Sequence, residues 1–269
     1  MTDATRTSTS ENFPVASWLL RPAARAPILA FYRFARTADD IADDGDGDSV
    51  QRLAQLDAMR ATIAGEAEAE PAALALREAM ADRRLSPSHA LDLLQAFVRD
   101  VSTPRTASYA ALIDYCRSSA MPVGRFVLDV HGEDRATWPA SDALCAALQI
   151  INHLQDCGKD FRALGRVYIP DDMLAAAGLD ASVLAGDRAP RALRGVLDDL
   201  VERCEALLRQ SRPFAAMLRD RRLAAEVRVI QRLAEDLTHQ LRRHDPLATR
   251  IAHSKARSAW LACRAVLSR

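Results

Sequence analysis

Two aspartates, Asp39 and Asp43, lie four residues apart within the stretch FYRFARTADDIADDGDGD. At about 100° per residue they share one helical face with Tyr32 and Arg36. Carboxylates at this spacing repel each other, so the face favours a nearby cation. Mg²⁺ prefers carboxylate oxygens together with water and phosphate oxygens. The first pair therefore predicts half of a magnesium site, while the DDGDGD run is typical of a solvated loop.

A second segment, LQIINHLQDCGKDF, repeats the spacing with an amide one turn earlier. Two such faces across a helical bundle would hold divalent ions between them, and the open coordination positions would take a diphosphate. One D-x-x-x-D pair is weak evidence, whereas two in one helical chain are a stronger indication. The predicted Mg²⁺ ligands are Asp39, Asp43, Asn152, Asp156 and Asp160.

The segment YCRSSAMPVGRF separates the two acidic motifs. A proline inside a helical pattern removes a backbone donor, so Pro122 with Gly124 predicts a kink. Kinks of this kind often border cavities, which would place the phenol of Tyr115 beside one. The alternative is that Tyr115 is an ordinary half-buried tyrosine.

The elements that position these residues are predicted to be helices. Alanine, leucine and arginine dominate, and β-branched alternation is nearly absent, so the chain is predicted to be all-α from about residue 14 onward. A single domain at 13–269 follows a polar segment, 1–12, that is expected to be mobile. Breaks are predicted at 21–27, 43–48, 65–71, 86–87, 102–106, 131–139, 165–172, 178–190 and 244–246.

Composition excludes several classes of function. The 36 basic and 36 acidic residues cancel, so nucleic acid is not an expected partner. The five cysteines are widely spaced, which indicates neither a disulfide framework nor a zinc site and favours the reducing cytoplasm. No apolar run long enough for a transmembrane helix occurs. Five histidines are interpreted as surface or cap residues: His89, His131, His239, His244 and His253.

Five segments together resemble the squalene/phytoene synthase family: ENFPVASWLL, FYRFARTADDIADD, YCRSSAMPVG, LQIINHLQDCGKD and GRVYIP. The resemblance implies a single-domain isoprenoid synthase bundle with a central active-site cavity, a Mg²⁺ site and an isoprenoid diphosphate substrate. The chain resembles the bacterial hopanoid branch of the family more than its other branches, and that branch converts presqualene diphosphate and water to hydroxysqualene and diphosphate. That activity is a carbon–oxygen lyase.

The resemblance also implies roles for particular residues. Tyr115 and the aspartates of both motifs are implied to be catalytic. The implied substrate-binding residues are Asn12, Phe13, Tyr32, Arg36, Asn152, Gln155 and Arg166. The chain departs from its relatives at Ser118, usually tyrosine, and at Met121, usually asparagine in this branch. Gln155 replaces an arginine of condensing members, which favours the hydroxysqualene-forming branch.

Two alternatives remain open from the sequence. One is a head-to-head prenyltransferase that condenses two farnesyl diphosphates to presqualene diphosphate, dehydrosqualene or squalene, or a phytoene synthase. The other is a non-catalytic homologue that acts as an assembly factor, although such a protein should lose aspartates. A long hydrocarbon substrate leaves room for transient contact with the inner membrane surface and with partner enzymes of a pathway.

Overall fold

A computed structural model describes residues 21–44 and 47–267, with side chains as far as residue 265. Twelve α-helices form in this part of the chain, two short 3₁₀ turns lie at Arg135–Thr137 and Ala181–Ala185, and no strand is present in it. The all-α prediction is confirmed. The helices are α1 (Pro22–Ala42), α2 (Ser49–Ala64), α3 (Pro71–Ala81), α4 (Ser88–Ser102), α5 (Tyr109–Ser119), α6 (Met121–His131), α7 (Trp138–Leu164), α8 (Asp171–Ala176), α9 (Arg191–Ser211), α10 (Phe214–Met217), α11 (Arg221–Arg243) and α12 (Lys255–Leu267).

Helix α7 is the central element of the bundle. It packs against α5, α6, α9 and α11. Ile150, Ile151 and Leu154 are buried in its middle, as expected for a helix surrounded by other helices. Its length of 27 residues lets it line the core at one end and carry the second acidic motif at the other.

Short capping signals fix where the helices that carry the site begin and end. Ser108 begins α5 by accepting a hydrogen bond from the backbone N–H of Ala111 at 3.2 Å. Gly165 ends α7 with a φ of 65°, a left-handed conformation that a side chain would strain. That turn sends the GRVYIP segment back across the bundle, which carries Arg166 toward α1.

The predicted break at 21–27 is wrong except at its first residue, because α1 begins at Pro22 and Pro27 lies inside it. Proline supplies no N–H, so the carbonyl of Ala23 one turn earlier loses its helical donor. The guanidinium of Arg83 donates a hydrogen bond to that same carbonyl. A side chain from outside the helix thus satisfies the acceptor that Pro27 leaves, and the helix continues.

Pro122 does not kink a helix, which corrects a second expectation. Helix α5 ends at Ser119, and Pro122 occupies the first turn of α6. Backbone N–H groups in a first turn make no hydrogen bond within the helix, so proline breaks none there. The break between the two helices brings α6 close to α7. A Cβ on Gly124 would lie 2.6 Å from Cys145 Sγ and 2.7 Å from Ser141 Oγ, so only glycine fits this contact without a shift.

Three of the histidines interpreted as surface or cap residues have buried imidazole rings instead. His89 contacts Asp129 at 3.0 Å, His131 contacts Asp220 at 2.8 Å, and His253 contacts Asp236 at 2.9 Å. Each imidazole lies on the inner side of its element because an aspartate from another element is there to receive it.

No helix in the described ranges is long and apolar enough to cross a membrane. The predicted mobile segment, 1–12, lies outside the described residues, so the domain boundary stays a prediction.

Candidate active site

A cavity of about 240 Å³ lies inside the bundle, with walls from α1, α6, α7, α10 and α11. Its lining is mostly apolar and aromatic. Phe31 of α1 stacks on Phe126 of α6 with ring centroids 4.2 Å apart, and Tyr32 lines the same wall. Leu144 and Leu148 of α7 form the facing side. The space suits a hydrocarbon rather than a polar metabolite.

On both α1 and α7, the residues that line the cavity are followed along the helix by the predicted metal ligands. On α1 the lining ends at Ala35, and Asp39 comes one turn later; on α7 it ends at Leu148, and Asn152 comes one turn later. The pKa of Asp160 is raised mainly by burial and by Asp156, and the charge of Asp43 on α1 adds to the rise, so the two acidic ends lie near each other. The site therefore has an apolar end, which is the cavity itself, and an oxygen-rich end formed by the side chains from Asp39 to Asp43 and from Asn152 to Asp160.

The acids of α1 are paired with arginine. Arg36 donates to Asp39 at 2.7 Å and to Asp40 at 3.0 Å on its own helix. Burial and the charge of Asp43 nevertheless raise the pKa of Asp39 to about 6. Arg36 therefore offsets only part of the repulsion on this face.

The acids of α7 have less compensation. Within the described ranges neither Asp156 nor Asp160 makes an ion pair. Burial and the charge of Asp156 raise the pKa of Asp160 to about 7, and Lys159 lowers it only in part. This face has the greater need of a cation.

The predicted Mg²⁺ ligands lie in two sets, one on α1 and one on α7, rather than in one finished cage. No three carboxylate, imidazole or thiol side chains of the described residues converge as ligands of a single ion. The donors are nevertheless oxygen groups, and the mutual repulsion of the carboxylates is what a hard divalent ion would relieve. A cluster completed by water and substrate phosphate oxygens fits this donor set.

Arg166 joins the two sides of the oxygen-rich end. The residue is 7% exposed, and its guanidinium donates to Asp43 Oδ1 at 2.5 Å and to the carbonyl of Ala42 at 2.6 Å. The Nε atom donates to the carbonyl of Asp100 at 3.3 Å. Arg166 thereby ties the end of α1 to α4, with a guanidinium geometry that also suits phosphate oxygens.

Asp100 is a residue of this site that the sequence reasoning missed. Its carboxylate accepts hydrogen bonds from Tyr115 Oη at 2.8 Å and from Tyr168 Oη at 2.9 Å. The signal was present: Asp100 falls one turn after buried Ala96 and two turns after buried Leu93, so it is an acid on an apolar helical face. Its pKa is raised to about 6 by burial.

The remaining predicted substrate-binding residues occupy different surroundings. Gln155 is buried, and its Nε2 donates to the carbonyl of Ile251 at 2.6 Å, so this atom holds the segment after α11. Asn152 lies half-buried between the cavity and Asp156 on α7. Asn12 and Phe13 lie outside the described residues, and their roles stay predictions.

This combination of an all-α bundle, an apolar cavity and two acidic helical faces is that of an isoprenoid synthase. The squalene/phytoene synthase family model matches residues 6–260, and the chain belongs to this family.

Several relatives carry one particular name. A hydroxysqualene synthase of Zymomonas mobilis is 51% identical over 96% of this chain and 88% of its own length. Another hydroxysqualene synthase, from Rhodopseudomonas palustris, is 52% identical over 91% of this chain and 84% of its own. A presqualene diphosphate synthase of Zymomonas mobilis is 32% identical over 73% of this chain and 68% of its own.

Solved structures agree with the fold. The squalene synthase HpnC of Alicyclobacillus acidocaldarius superposes with a TM-score of 0.75 and 34% identity, covering 85% of this chain and 87% of that one. A dehydrosqualene synthase superposes with a TM-score of 0.79 at 20% identity, over 96% and 91% of the two chains, which supports the fold alone.

Proposed function

We propose that this protein is a hydroxysqualene synthase of bacterial hopanoid biosynthesis, a carbon–oxygen lyase that converts presqualene diphosphate and water to hydroxysqualene and diphosphate. The observation that carries the proposal is the identity of about one half, across most of both chains, to relatives with that name. The chemistry of the cavity lining agrees with it, because a long hydrocarbon with a diphosphate head needs an apolar wall followed by oxygen ligands and arginines.

Loss of diphosphate is the step that the oxygen-rich end serves. Asp39, Asp43, Asn152, Asp156 and Asp160 are the residues that would hold Mg²⁺. When bound, Mg²⁺ supplies electrostatic stabilisation of the charge that develops on the departing diphosphate. Arg36 and Arg166 donate hydrogen bonds to phosphate oxygens, exchanging part of their present pairing with aspartate for the substrate.

The apolar end protects the carbocation. Phe31 and Tyr32 present aromatic rings to the cavity, and ring faces stabilise a positive charge without offering it a nucleophile. Phe13 is a third candidate for this role. Rearrangement therefore proceeds before water arrives, and Tyr115, Asn152 and Gln155 are the candidates that position that water.

Product analysis with two substrates tests the proposal. Purified protein with Mg²⁺ should convert presqualene diphosphate to hydroxysqualene and leave farnesyl diphosphate unchanged. Presqualene diphosphate formed from farnesyl diphosphate would move the protein to the condensing branch. No turnover of either substrate, together with no thermal stabilisation by Mg²⁺ plus diphosphate, would favour a non-catalytic assembly factor.

The lipid-soluble product also suggests where the protein works. We place it in the cytoplasm with transient contact at the inner membrane surface and with enzymes that supply its substrate or use its product. Co-sedimentation with vesicles, compared in the presence and absence of product, measures that contact.

A further inference from the structure

A second pocket, of about 260 Å³, has walls from α9, α10, α11 and α12. Three arginines line this basic pocket: Arg212, Arg228 and Arg232. Glu235 is the acid of the lining, and it contacts Arg212 at 3.4 Å and Arg232 at 3.3 Å. Both arginines are exposed, so these pairs add little stability and leave the guanidinium groups ready to exchange partners. Three guanidinium groups against one carboxylate give the pocket an excess of positive charge.

The guanidinium of Arg228 is placed to bind an anion in the basic pocket. Its Nε atom is buried and makes no hydrogen bond to any residue that the structure describes. A guanidinium pairs with phosphate oxygens through parallel N–H groups, so a phosphate would satisfy this donor. The pocket wall is fixed, because Ser211 Oγ donates to Gln231 Oε1 at 2.7 Å and Gln231 Nε2 donates to the carbonyl of Leu208 at 3.0 Å. The basic pocket is therefore a formed site for a phosphate group.

The C-terminal part of the chain is cationic, although the 36 basic and 36 acidic residues of the whole chain cancel. Residues 246–269 contain one lysine, four arginines and no aspartate or glutamate. On α12, Lys255, Arg257 and Arg264 are exposed, and Arg257 is paired with Asp236 of α11. A basic helix at the surface is attracted to anionic lipid headgroups. The charge of α12 therefore extends that of the basic pocket, which Ala265 of the same helix lines.

The outer side of α12 also carries an exposed aromatic ring. The inner side of the helix packs on α11 through Leu261 and Ala265. Trp260 is 53% exposed, and the Cζ atom of Arg264 lies 4.7 Å from the centroid of its ring. Tryptophan and arginine together are typical of helices that lie at the headgroup level of a bilayer. The chemistry of this side of α12 thus suits a lipid surface better than a soluble anion.

The basic pocket lies behind a wall of the apolar cavity in the active site. Val227 of α11 lines both spaces. Phe214 lines the cavity, and Ala215, the next residue, lines the basic pocket. A surface bound at the basic pocket is therefore next to the space that would hold the hydrocarbon. A soluble anion would gain nothing from this arrangement, whereas a bilayer both stores a lipid substrate and accepts a lipid product.

We propose that the basic pocket and the outer side of α12 form the face by which this protein binds anionic bilayers. A lipid phosphate occupies the basic pocket, and the ring of Trp260 lies at the headgroup level. Binding turns α10 and α11 toward the bilayer, so that the apolar cavity exchanges its ligands with the lipid phase. This inference rests on the proposed function, which supplies a lipid substrate and a lipid product.

Co-sedimentation with vesicles measures this binding. Wild-type protein should sediment with vesicles that contain phosphatidylglycerol and should not sediment with vesicles of phosphatidylcholine alone. Arg228→Gln/Arg232→Gln should weaken the binding about tenfold, because two cations near the lipid surface are lost. Trp260→Ala should weaken it severalfold through loss of the ring from the headgroup level. Binding that is unchanged in both variants overturns the proposal.

A matched control removes the same charge from another face. Arg60→Gln/Arg117→Gln changes two arginines of α2 and α5 and should leave vesicle binding as in wild type. A loss as large as that of Arg228→Gln/Arg232→Gln would show that total charge, rather than this face, determines binding. All variants should turn over presqualene diphosphate in detergent micelles at the wild-type rate, which also shows that they are folded. With the substrate in phosphatidylglycerol vesicles, the pocket and Trp260 variants should be slower than wild type.

Other occupants of this face give different results. Inorganic phosphate that raises the Tm of wild type but not of Arg228→Gln/Arg232→Gln, without any vesicle binding, would assign the pocket to a soluble anion and overturn the proposal. A dimer that Trp260→Ala dissociates, again without vesicle binding, would assign α12 to self-association and also overturn it. Wild-type protein that binds vesicles but does not convert presqualene diphosphate in detergent overturns the proposed function and leaves the binding face in place.

Discussion

The acidic end of α1 and that of α7 carry the same spacing of carboxylates but differ in how charge is compensated. Asp39 and Asp43 each contact an arginine, one from α1 itself and one from the loop after α7. Asp156 and Asp160 make no ion pair in the part of the chain that is described. The pKa of Asp160 is accordingly raised further, to about 7, than that of Asp39, at about 6.

This difference in charge compensation indicates that the acidic motifs of α1 and α7 have different roles. On α1 the aspartates form ion pairs with arginines, so this face can contact a diphosphate through the arginines and bind a metal ion through the aspartates. A face whose acids make no ion pair within the described residues attracts metal ions more strongly, because Lys159 and Arg166 offset the charge of Asp160 only in part. We therefore expect the acids of α7 to depend on Mg²⁺ more than those of α1 do.

The largest effect is expected from the acids of α7. Asp156→Asn or Asp160→Asn should lower kcat for presqualene diphosphate by at least about 100-fold, since one anionic metal ligand is lost. Asp39→Ala should also lower it by more than tenfold, with arginine retaining part of the phosphate binding. Steady-state kinetics across Mg²⁺ concentrations measure both.

Asp40→Asn is the matched control for these variants. Asp40 is an exposed acid of α1 that contacts Arg36 but lies beside the helical face that carries Asp39 and Asp43. The Asp40→Asn variant should therefore keep kcat within about threefold of wild type. Activity within tenfold of wild type in Asp156→Asn would contradict the metal assignment.

A smaller effect, on stability as well as activity, is expected at the arginines. Arg166→Gln removes the donor that joins Asp43, Ala42 and Asp100, and should destabilise the fold by about 2 kcal/mol, because charged hydrogen bonds in a buried position are lost. Arg36→Gln removes pairs within one helix and should cost about 0.5 kcal/mol. Urea unfolding gives both values, and equal losses would show that Arg166 does not crosslink the site.

The pH dependence of stability should reveal the two acids whose pKa values are raised, one on each helix. The folded pKa values of Asp39 and Asp160, about 6 and 7, lie above the ordinary value of 3.8. Between about pH 4 and 7 the folded chain therefore binds more protons than the unfolded chain, so these groups make stability fall as the pH rises. Asp160→Asn should flatten that fall in metal-free protein.

Added Mg²⁺ should reverse the trend, because it binds the ionised carboxylates. Thermal unfolding at about pH 5.5 and pH 8 should show a larger rise in Tm with Mg²⁺ at the higher pH. A rise of the same size at both pH values would mean that these carboxylates do not bind the ion.

Much of the fold and half of the site follow from local sequence patterns. Helical faces place Asp39 with Asp43 and Asp156 with Asp160 because 3.6-residue periodicity is a local property. Gly165 and Ser108 mark helix ends for equally local reasons. These features need no knowledge of the rest of the chain.

The features that were missed depend on contacts between distant segments. Pro27 stays helical because Arg83 satisfies a carbonyl that its own helix cannot. Asp100 becomes part of the site because tyrosines from two other elements reach it. Periodicity shows that Asp100 is on an apolar face, but the partners that make burial of the charge acceptable come only from the tertiary structure.

The smallest effect is expected at Gly158, which lies between the two acids of α7. A Cβ there would come within 2.6 Å of Leu247 Cδ2, the end of a flexible side chain that can move. Alanine also favours the helix by about 1 kcal/mol over glycine, so Gly158→Ala should change stability by less than about 1 kcal/mol. Because the carboxylates stay on the same face, kcat should remain within about twofold of wild type. A fall in kcat of more than tenfold with an unchanged Tm would mean that a local bend at Gly158 positions the acids of α7. The two helices would then differ in backbone shape as well as in charge.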